Sequence, residues 1–537
     1  MTLRDSALTR EAVAATGSAA GLSALLVWVG PPGSDFAAHV YQRAIFLQHG
    51  FALWNNFWYA GRYSFITYSL LYYPLAAVLG IRLLAVATIS AAALAFAVVV
   101  MRQWGAQARW SSRTFAVVWA GIVLTAAFPF ALGAMLALLS IWALQSRRLW
   151  RFAAFALLTL AASPVAFVLL VVVLVGIGIG RRTDRRTLFA VGLAVALLGL
   201  VELCLWRIFP SDGHYPFSGW ELAAALVFCA FGVVITWRNE RASIIRFFFP
   251  VYAAACVVAF LVPSALGDNV VRVRYLAVPV SVLVLALRDW RPRILAVVAV
   301  ALAVSWNVTP LADSYTKSSA DPAASYSFWQ PAIAYLHRHL TPSYRVEAVD
   351  TVGHWEAFHL ARAAIPLARG WFRADDFPQN ALLYAKGHLG LKRYVAWLGR
   401  LGVSYVVLPN APMDYSSEKE AQLVRSGRLP LTMVFASPTV TIFRVPSPRP
   451  IVTGPFPAPV VALSEDTVRV KIPAPGVYRI AIRYSPYWHA SAGCVLAGRD
   501  DMLRLQAAYP GLVKLSFRVD PGRALTEVAG GKPAPCT

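Results

Sequence analysis

Long apolar runs punctuated by short arginine clusters set the pattern of the first 310 residues. A helix of about 20 apolar residues crosses about 30 Å of hydrocarbon. Runs near that length occur at 13–30, 82–101, 114–129, 131–146, 152–163, 165–180, 187–207, 220–237, 247–263, 274–287 and 294–309. Between them lie Arg4/Arg10, Arg102/Arg109/Arg113, Arg147/Arg148/Arg151, Arg181/Arg182/Arg185/Arg186, Arg238/Arg241/Arg246 and Arg288/Arg291/Arg293. Basic residues gather in short cytoplasmic loops. Assigning every cluster to the cytoplasm gives about eleven crossings, with the N-terminus inside and everything after about residue 310 outside. The apolar stretch 64–80 would carry Arg102, Arg109 and Arg113 to the outer side if it crossed, so it reads as a re-entrant or surface-lying helix. The first run ends at Gly30-Pro31-Pro32-Gly33 with no small-residue cleavage signature, and is expected to be a retained anchor.

Beyond residue 310 the periodicity changes. An amphipathic helix is expected at 327–340 and a strand at 344–350, then a helix at 391–400 that leads through Leu401-Gly402 into the strand 403–408, an α/β order. After Pro430 short strands alternate apolar and polar residues, as in 467–472 and 477–485, the pattern of a small β-sandwich with one wet face. The expected fold class is a polytopic α-helical membrane protein with a C-terminal extracytoplasmic α/β plus β-sandwich region. Its parts would be a transmembrane catalytic domain at 1–310, an α/β domain at 311–447, and a β-sandwich at 448–537 that is a candidate carbohydrate-binding module.

Composition supports this reading. The chain is 58% hydrophobic and 14% charged, which argues against a soluble globular protein. Its net charge of +23 would suit a nucleic-acid binder, but the arginines of the membrane half sit in short loops and every lysine lies at Lys317 or later. Cys204, Cys229 and Cys256 fall in expected spans as small apolar fillers. Cys494 and Cys536 lie in the external region, where a disulfide between them could tie down the C-terminus.

Acids are scarce before residue 311, and between Glu11 and Asp184 Asp35 stands alone. It follows the first span and opens a stretch in which Asp35, His39 and Arg43 recur every four residues, hence on one helical face. A carboxylate beside a histidine at the membrane surface could deprotonate a hydroxyl or hold a cation; the plainer reading is an N-cap with a solvated polar stripe. Trp54, Asn55, Asn56, Trp58, Arg62 and Tyr63 follow, with flat rings and amides suited to sugars and lipid headgroups, or to an interfacial aromatic belt. Arg272 and Arg274 break the inside-positive pattern in an outer loop. A guanidinium fork matches phosphate oxygens, although a local pair with Asp268 or a surface anchor would also account for them. Trp488, in the cluster Ser485-Pro486-Tyr487-Trp488-His489, could stack on carbohydrate or be buried in the sandwich.

The acid just after span one, the juxtamembrane helices, the aromatic segment bearing Tyr72-Tyr73-Pro74-Leu75, the many spans and the external C-terminal region together resemble the GT-C superfamily of membrane glycosyltransferases, in particular actinobacterial arabinofuranosyl- and mannosyltransferases. The motif likeness rests on residues 35 to 82 and, more weakly, on 267 to 275. The resemblance implies a multi-pass plasma (inner) membrane enzyme of the cell envelope. It would move a sugar from a polyprenyl-phosphate donor to a glycan, lipid or protein acceptor on the extracytoplasmic face, with inversion and with no nucleic-acid partner. Asp35 matches the family's first-loop acid and would be the catalytic base. Arg62, His39, Arg43, Arg272 and Arg274 would bind the donor, and Trp54, Asn55, Asn56, Trp58, Tyr63 and Trp488 the substrate. Phe36 stands where many members carry a second acid, so metal use is left open: no cofactor is certain, and a divalent cation remains compatible with the motif. The competing readings are a lipid-linked-saccharide transporter or flippase and a non-catalytic envelope scaffold.

Overall fold

The computed structural model describes residues 3–180, 184–210, 213–385 and 387–531, with side chains from residue 7 onward. Arg181, Arg182, Asp212 and Cys536 lie outside the described residues, and with Cys536 the expected Cys494–Cys536 pairing. The contacts divide the chain into two units, one of residues 1–34, 68–203 and 213–319, the other of 35–67, 204–212 and 320–537.

The first unit is helical. Among the described residues eight stretches are long and apolar enough to cross a membrane, and Leu149–Ala162 and Pro164–Gly180 are shorter apolar helices. One stretch, Ile81–Thr125, contains both Ile81–Trp104 and Arg109–Ala120, which match two separate expected spans. The chain is therefore a multi-pass membrane protein. The segment 64–80 contributes only the eight-residue helix Tyr72–Leu79. At 1.5 Å per residue that is roughly 12 Å, far short of a bilayer.

Small residues let these helices approach closely, the usual packing device in lipid, where apolar surface alone gives no preference for a protein neighbour. Leu3–Val29 packs on Ile81–Trp104, and buried alanines (Ala12, Ala15 and Ala19; Ala85, Ala92 and Ala93) lie on the two helices. A Cβ on Gly232 would fall 2.1 Å from the Phe249 ring, so that helix contact requires glycine. Glu11, nearly fully buried on the first helix, is held by Arg113 through two hydrogen bonds of 2.9 and 3.1 Å.

The second unit holds a mixed sheet and a sandwich. In the mixed sheet Arg345–Ala348 runs parallel to Val403–Pro409, which pairs antiparallel with Val440–Arg444, and Thr432–Ala436 forms the edge. Helix Leu391–Leu401 ends at Gly402 in the left-handed conformation (φ +78°) and turns directly into the strand at 403, as its sequence predicts. Helix Tyr326–His339 lies within a residue of its expected place.

The sandwich pairs two four-stranded sheets. One orders Cys494–Ala497, Met502–Ala507, Gly476–Arg483 and Val452–Thr453; the other orders Trp488–Ala490, Gly511–Phe517, Thr467–Ile472 and Val460–Leu463. Along Thr467–Ile472 the residues Val468, Val470 and Ile472 point into the shared core while Arg469 and Lys471 face out, the period-two pattern of a strand with one wet face.

The division differs from the expected domains in three places, one being that residues 204–212 fall in the second unit. The boundary expected at 310/311 falls inside the helix Arg293–Ser319, because nine further residues keep the helical repeat before Asp321 caps the next turn. Residues 35–67 belong to the second unit although they follow the first span directly. Backbone bonds explain why: Asn56 N–H donates to Glu465 O (2.8 Å), Leu367 N–H to Phe57 O (2.9 Å), and Arg483 N–H to Ala60 O (2.8 Å).

Candidate functional site

Asp35 occupies the N-cap position of the helix Phe36–His49, yet its side chain makes no capping hydrogen bond. The stripe below it is not solvated, since His39 is 1% exposed and Asp35 and Arg43 are half-buried. The face carrying Ala37, Ala38, Tyr41, Gln42 and Ile45 is buried as well, and the helix packs on Trp355–Arg362, with Phe36 6.3 Å from the Trp355 ring. Gln42 Oε1 accepts from Ser64 Oγ (2.8 Å), and Asn55 Nδ2 donates to Tyr41 Oη (3.3 Å).

The aromatic and amide side chains expected to bind substrate do not form an open face. Trp54, Asn55, Asn56, Trp58, Tyr63 and Trp488 are all 7% exposed or less. Trp54 stacks on Phe517 (4.9 Å) and meets Trp488 edge-on (5.7 Å) inside the sandwich core. Most of their polar atoms are satisfied internally: Trp54 Nε1 donates to Asn56 Oδ1, Asn56 Nδ2 to Ser464 O, and Trp58 Nε1 to Ala357 O, while Asn55 Oδ1 accepts from Phe57 N–H and Tyr63 Oη bonds Ser485 Oγ. Their chemistry suits sugar binding, but here it joins residues 35–67 to the rest of the second unit.

Arg62 is likewise committed. Its Nε donates to Asp375 Oδ2 (2.6 Å) and its guanidinium lies 3.8 Å over Phe372, with the side chain 5% exposed.

Arg272 and Arg274 sit on the 3-10 segment Gly267–Leu276 of the first unit. Arg274 pairs with Glu221 (3.4 Å), rather than forming the local pair with Asp268 read as an alternative, and Asn307 Nδ2 donates to its carbonyl (2.6 Å). Arg272 is 5.2 Å from the Phe130 ring centroid. Phe130 lines a cavity of about 200 Å³ whose other walls include Phe96, Phe115, Trp119, Phe248 and Leu283. In that wall the buried Trp119 Nε1 has no hydrogen-bond partner among the described residues.

The second unit also holds a buried ionic cluster that no periodic pattern in the sequence marks. Arg369 lies between Glu347 (2.8 Å), Asp350 (2.9 Å) and Glu420 (2.8 Å), all within 3% exposure. Arg373 holds Asp414 through both carboxylate oxygens. His354, in the left-handed conformation (φ +52°), stacks on Trp371 at 3.6 Å and turns Nδ1 toward Asp350 and Glu356 and Nε2 toward Asp414.

Burial alone would lower the His354 pKa, but Asp414, Glu356 and Asp350 outweigh it and push it up to about 9. For Asp414 the order reverses: burial raises the carboxyl, and His354 and Arg373 together hold it well below the ordinary range. Burial pushes Glu347 and Asp350 well up despite Arg369. The signal in the sequence was the run Asp350-Thr-Val-Gly-His354-Trp-Glu356, which places three ligand-type side chains within seven residues. The left-handed turn at His354 brings the three side chains together.

No protein-family model matches the sequence, and neither does any curated protein. Among solved structures the chain is similar to the arabinofuranosyltransferase AftD from Mycobacteria, at 17% identity and a TM-score of 0.46 over 86% of this chain and 41% of that one. A mutant form of the same protein gives 14% identity and a TM-score of 0.47 over 94% and 60%. An oligosaccharyltransferase from Archaeoglobus fulgidus, solved with a tethered acceptor peptide, gives 14% and 0.38 over 74% and 69%. The chain thus spans about half the length of the AftD structures it matches.

Proposed function

We propose that this membrane protein is a glycosyltransferase of GT-C type. It moves a sugar from a polyprenyl-phosphate donor to a cell-envelope glycan, lipid or protein acceptor on the extracytoplasmic face, with inversion; arabinofuranose and mannose are the narrower candidates for the sugar. The observation that carries the reading is Arg272 lying over the ring of Phe130, which lines an apolar cavity together with Trp119, whose Nε1 has no hydrogen-bond partner among the described residues. A permanent cation beside such a cavity suits a ligand with a phosphate head and a hydrocarbon tail.

The chemistry needs one base. The acceptor hydroxyl gives its proton to the Asp35 carboxylate as its oxygen attacks the anomeric carbon. The bond from that carbon to the phosphate oxygen breaks with its electron pair, leaving polyprenyl phosphate. A single displacement of this kind inverts the anomeric centre.

The test is incubation of purified protein in proteoliposomes with a polyprenyl-phosphate sugar and an acceptor glycan, with polyprenyl phosphate and glycoside counted separately. The proposal expects equal amounts of both, the glycoside inverted. For Arg272→Ala it expects a donor KM raised about 10- to 100-fold, the loss of one charged hydrogen bond, with the acceptor KM little changed. Movement of intact donor across the bilayer without release of polyprenyl phosphate would instead identify a flippase.

A further inference from the structure

The geometry points to a divalent-cation site in the second unit, with Asp350 Oδ2, His354 Nδ1 and Glu356 Oε1 as ligands for an ion of the zinc or manganese class. The three atoms lie within 4.8 Å of one another in side chains 3% exposed or less. Each is buried without a hydrogen-bond partner among the described residues. Arg369 Nη1 stands 2.9 Å from Asp350 Oδ2 but lacks the alignment of a hydrogen bond. The spacing is the telling quantity. His354 Nδ1 is 3.6 Å from Asp350 Oδ2 and 3.5 Å from Glu356 Oε1, too far for hydrogen bonds. Ligands about 2.1 Å from a tetrahedral metal stand roughly 3.4 Å apart along each edge, so the two separations from His354 Nδ1 already match those that such an ion imposes, and the third is within 4.8 Å.

The surroundings are arranged as support for ligands. Glu356 Oε2 accepts from Thr351 N–H (3.1 Å) and Oγ1 (2.8 Å), which leaves Oε1 aimed inward. His354 is clamped on Trp371, with Asp414 3.6 Å and Arg373 Nη2 3.4 Å from its far nitrogen. A Cβ on Gly353 would fall 2.5 Å from Asp321 Oδ2, so the turn that presents His354 requires glycine there. Carboxylates outnumber guanidiniums in the cluster: Arg369 meets Glu347, Asp350 and Glu420, and Arg373 meets Asp414. An imidazole among carboxylates selects zinc or manganese over calcium or magnesium. The ion would fix the start of the helix Trp355–Arg362, on which the helix that begins beside Asp35 packs.

The test is metal content and binding in the full chain purified in detergent, stripped with a chelator, then given Zn2+ or Mn2+ alone. Wild type is expected to take up one equivalent of one of these ions and to gain thermal stability on binding. His354→Ala and the near-isosteric Glu356→Gln are expected to weaken binding at least about 100-fold, while Asp500→Asn, remote in the sandwich, keeps it. Wild-type protein that takes up neither ion overturns the site, as does His354→Ala protein that retains a full equivalent. Glu356→Gln, which preserves side-chain volume, decides the matter if His354→Ala does not fold.

Discussion

An N-cap aspartate normally stabilises its helix by ~1 kcal/mol through a side-chain bond to the first-turn N–H groups. Asp35 forgoes that bond at the start of Phe36–His49, where the residue type suits it best. Its being the lone acid between Glu11 and Asp184 could be read from the sequence; the burial of His39 beneath it could not, because a four-residue polar repeat looks the same on a wet face and on a dry one. The same blindness to burial explains Trp488, whose ring suits a sugar or a core equally well and lies 1% exposed against Phe517. Trp488→Ala is therefore expected to destabilise the chain by about 3–5 kcal/mol, seen as a lower thermal unfolding midpoint in detergent. An unchanged midpoint together with lost glycan affinity would restore the ring to the acceptor surface.

At the scale of elements, periodicity located the helix Tyr326–His339, the helix–glycine–strand unit at 391–409 and three of the eight sandwich strands, Thr467–Ile472, Gly476–Arg483 and Gly511–Phe517, because each depends on neighbours within a few residues. The short strands Val452–Thr453 and Trp488–Ala490 went unseen, since two or three residues show no period. The hairpin Trp54–Asn55 with Arg62–Tyr63 could not be placed either, since what holds it lies more than 300 residues away, as with Asp375 for Arg62. Arg62 thus anchors that hairpin to the helix Arg373–Gln379, and its removal takes the 2.6 Å ion pair away from a buried carboxylate. Arg62→Ala is expected to cost about 3–5 kcal/mol of stability while leaving the donor KM unchanged, measured by thermal unfolding and steady-state kinetics on the same preparation. A raised donor KM at unaltered stability would return Arg62 to the donor site. The ionic cluster around Arg369 escaped notice because its members, from Glu347 to Glu420, meet only when strand and helix ends converge.

At the scale of the whole molecule, the arginine clusters and apolar runs specify a path through the membrane, since the cost of leaving a charge in hydrocarbon acts on every span separately. On the path expected from the sequence Trp150 would lie inside the cell and Tyr509 outside, both well exposed side chains. Cysteines introduced at these positions should behave oppositely toward a membrane-impermeant maleimide on intact cells, with Tyr509→Cys labelled and Trp150→Cys protected until the membrane is opened. Labelling of both from outside would break the assignment of the Arg147/Arg148/Arg151 cluster to the cytoplasm. The proposed activity converges on one proton transfer at the outer surface, and a general base typically contributes about 100- to 10,000-fold in rate. The decisive measurement is the rate of sugar transfer from polyprenyl-phosphate donor in proteoliposomes for wild type, Asp35→Asn and Asp35→Glu, with unfolding midpoints taken alongside. The rate for Asp35→Asn should fall by a factor within that range at unchanged stability and Asp35→Glu should partly recover; transfer by Asp35→Asn at the wild-type rate would rule out Asp35 as the base.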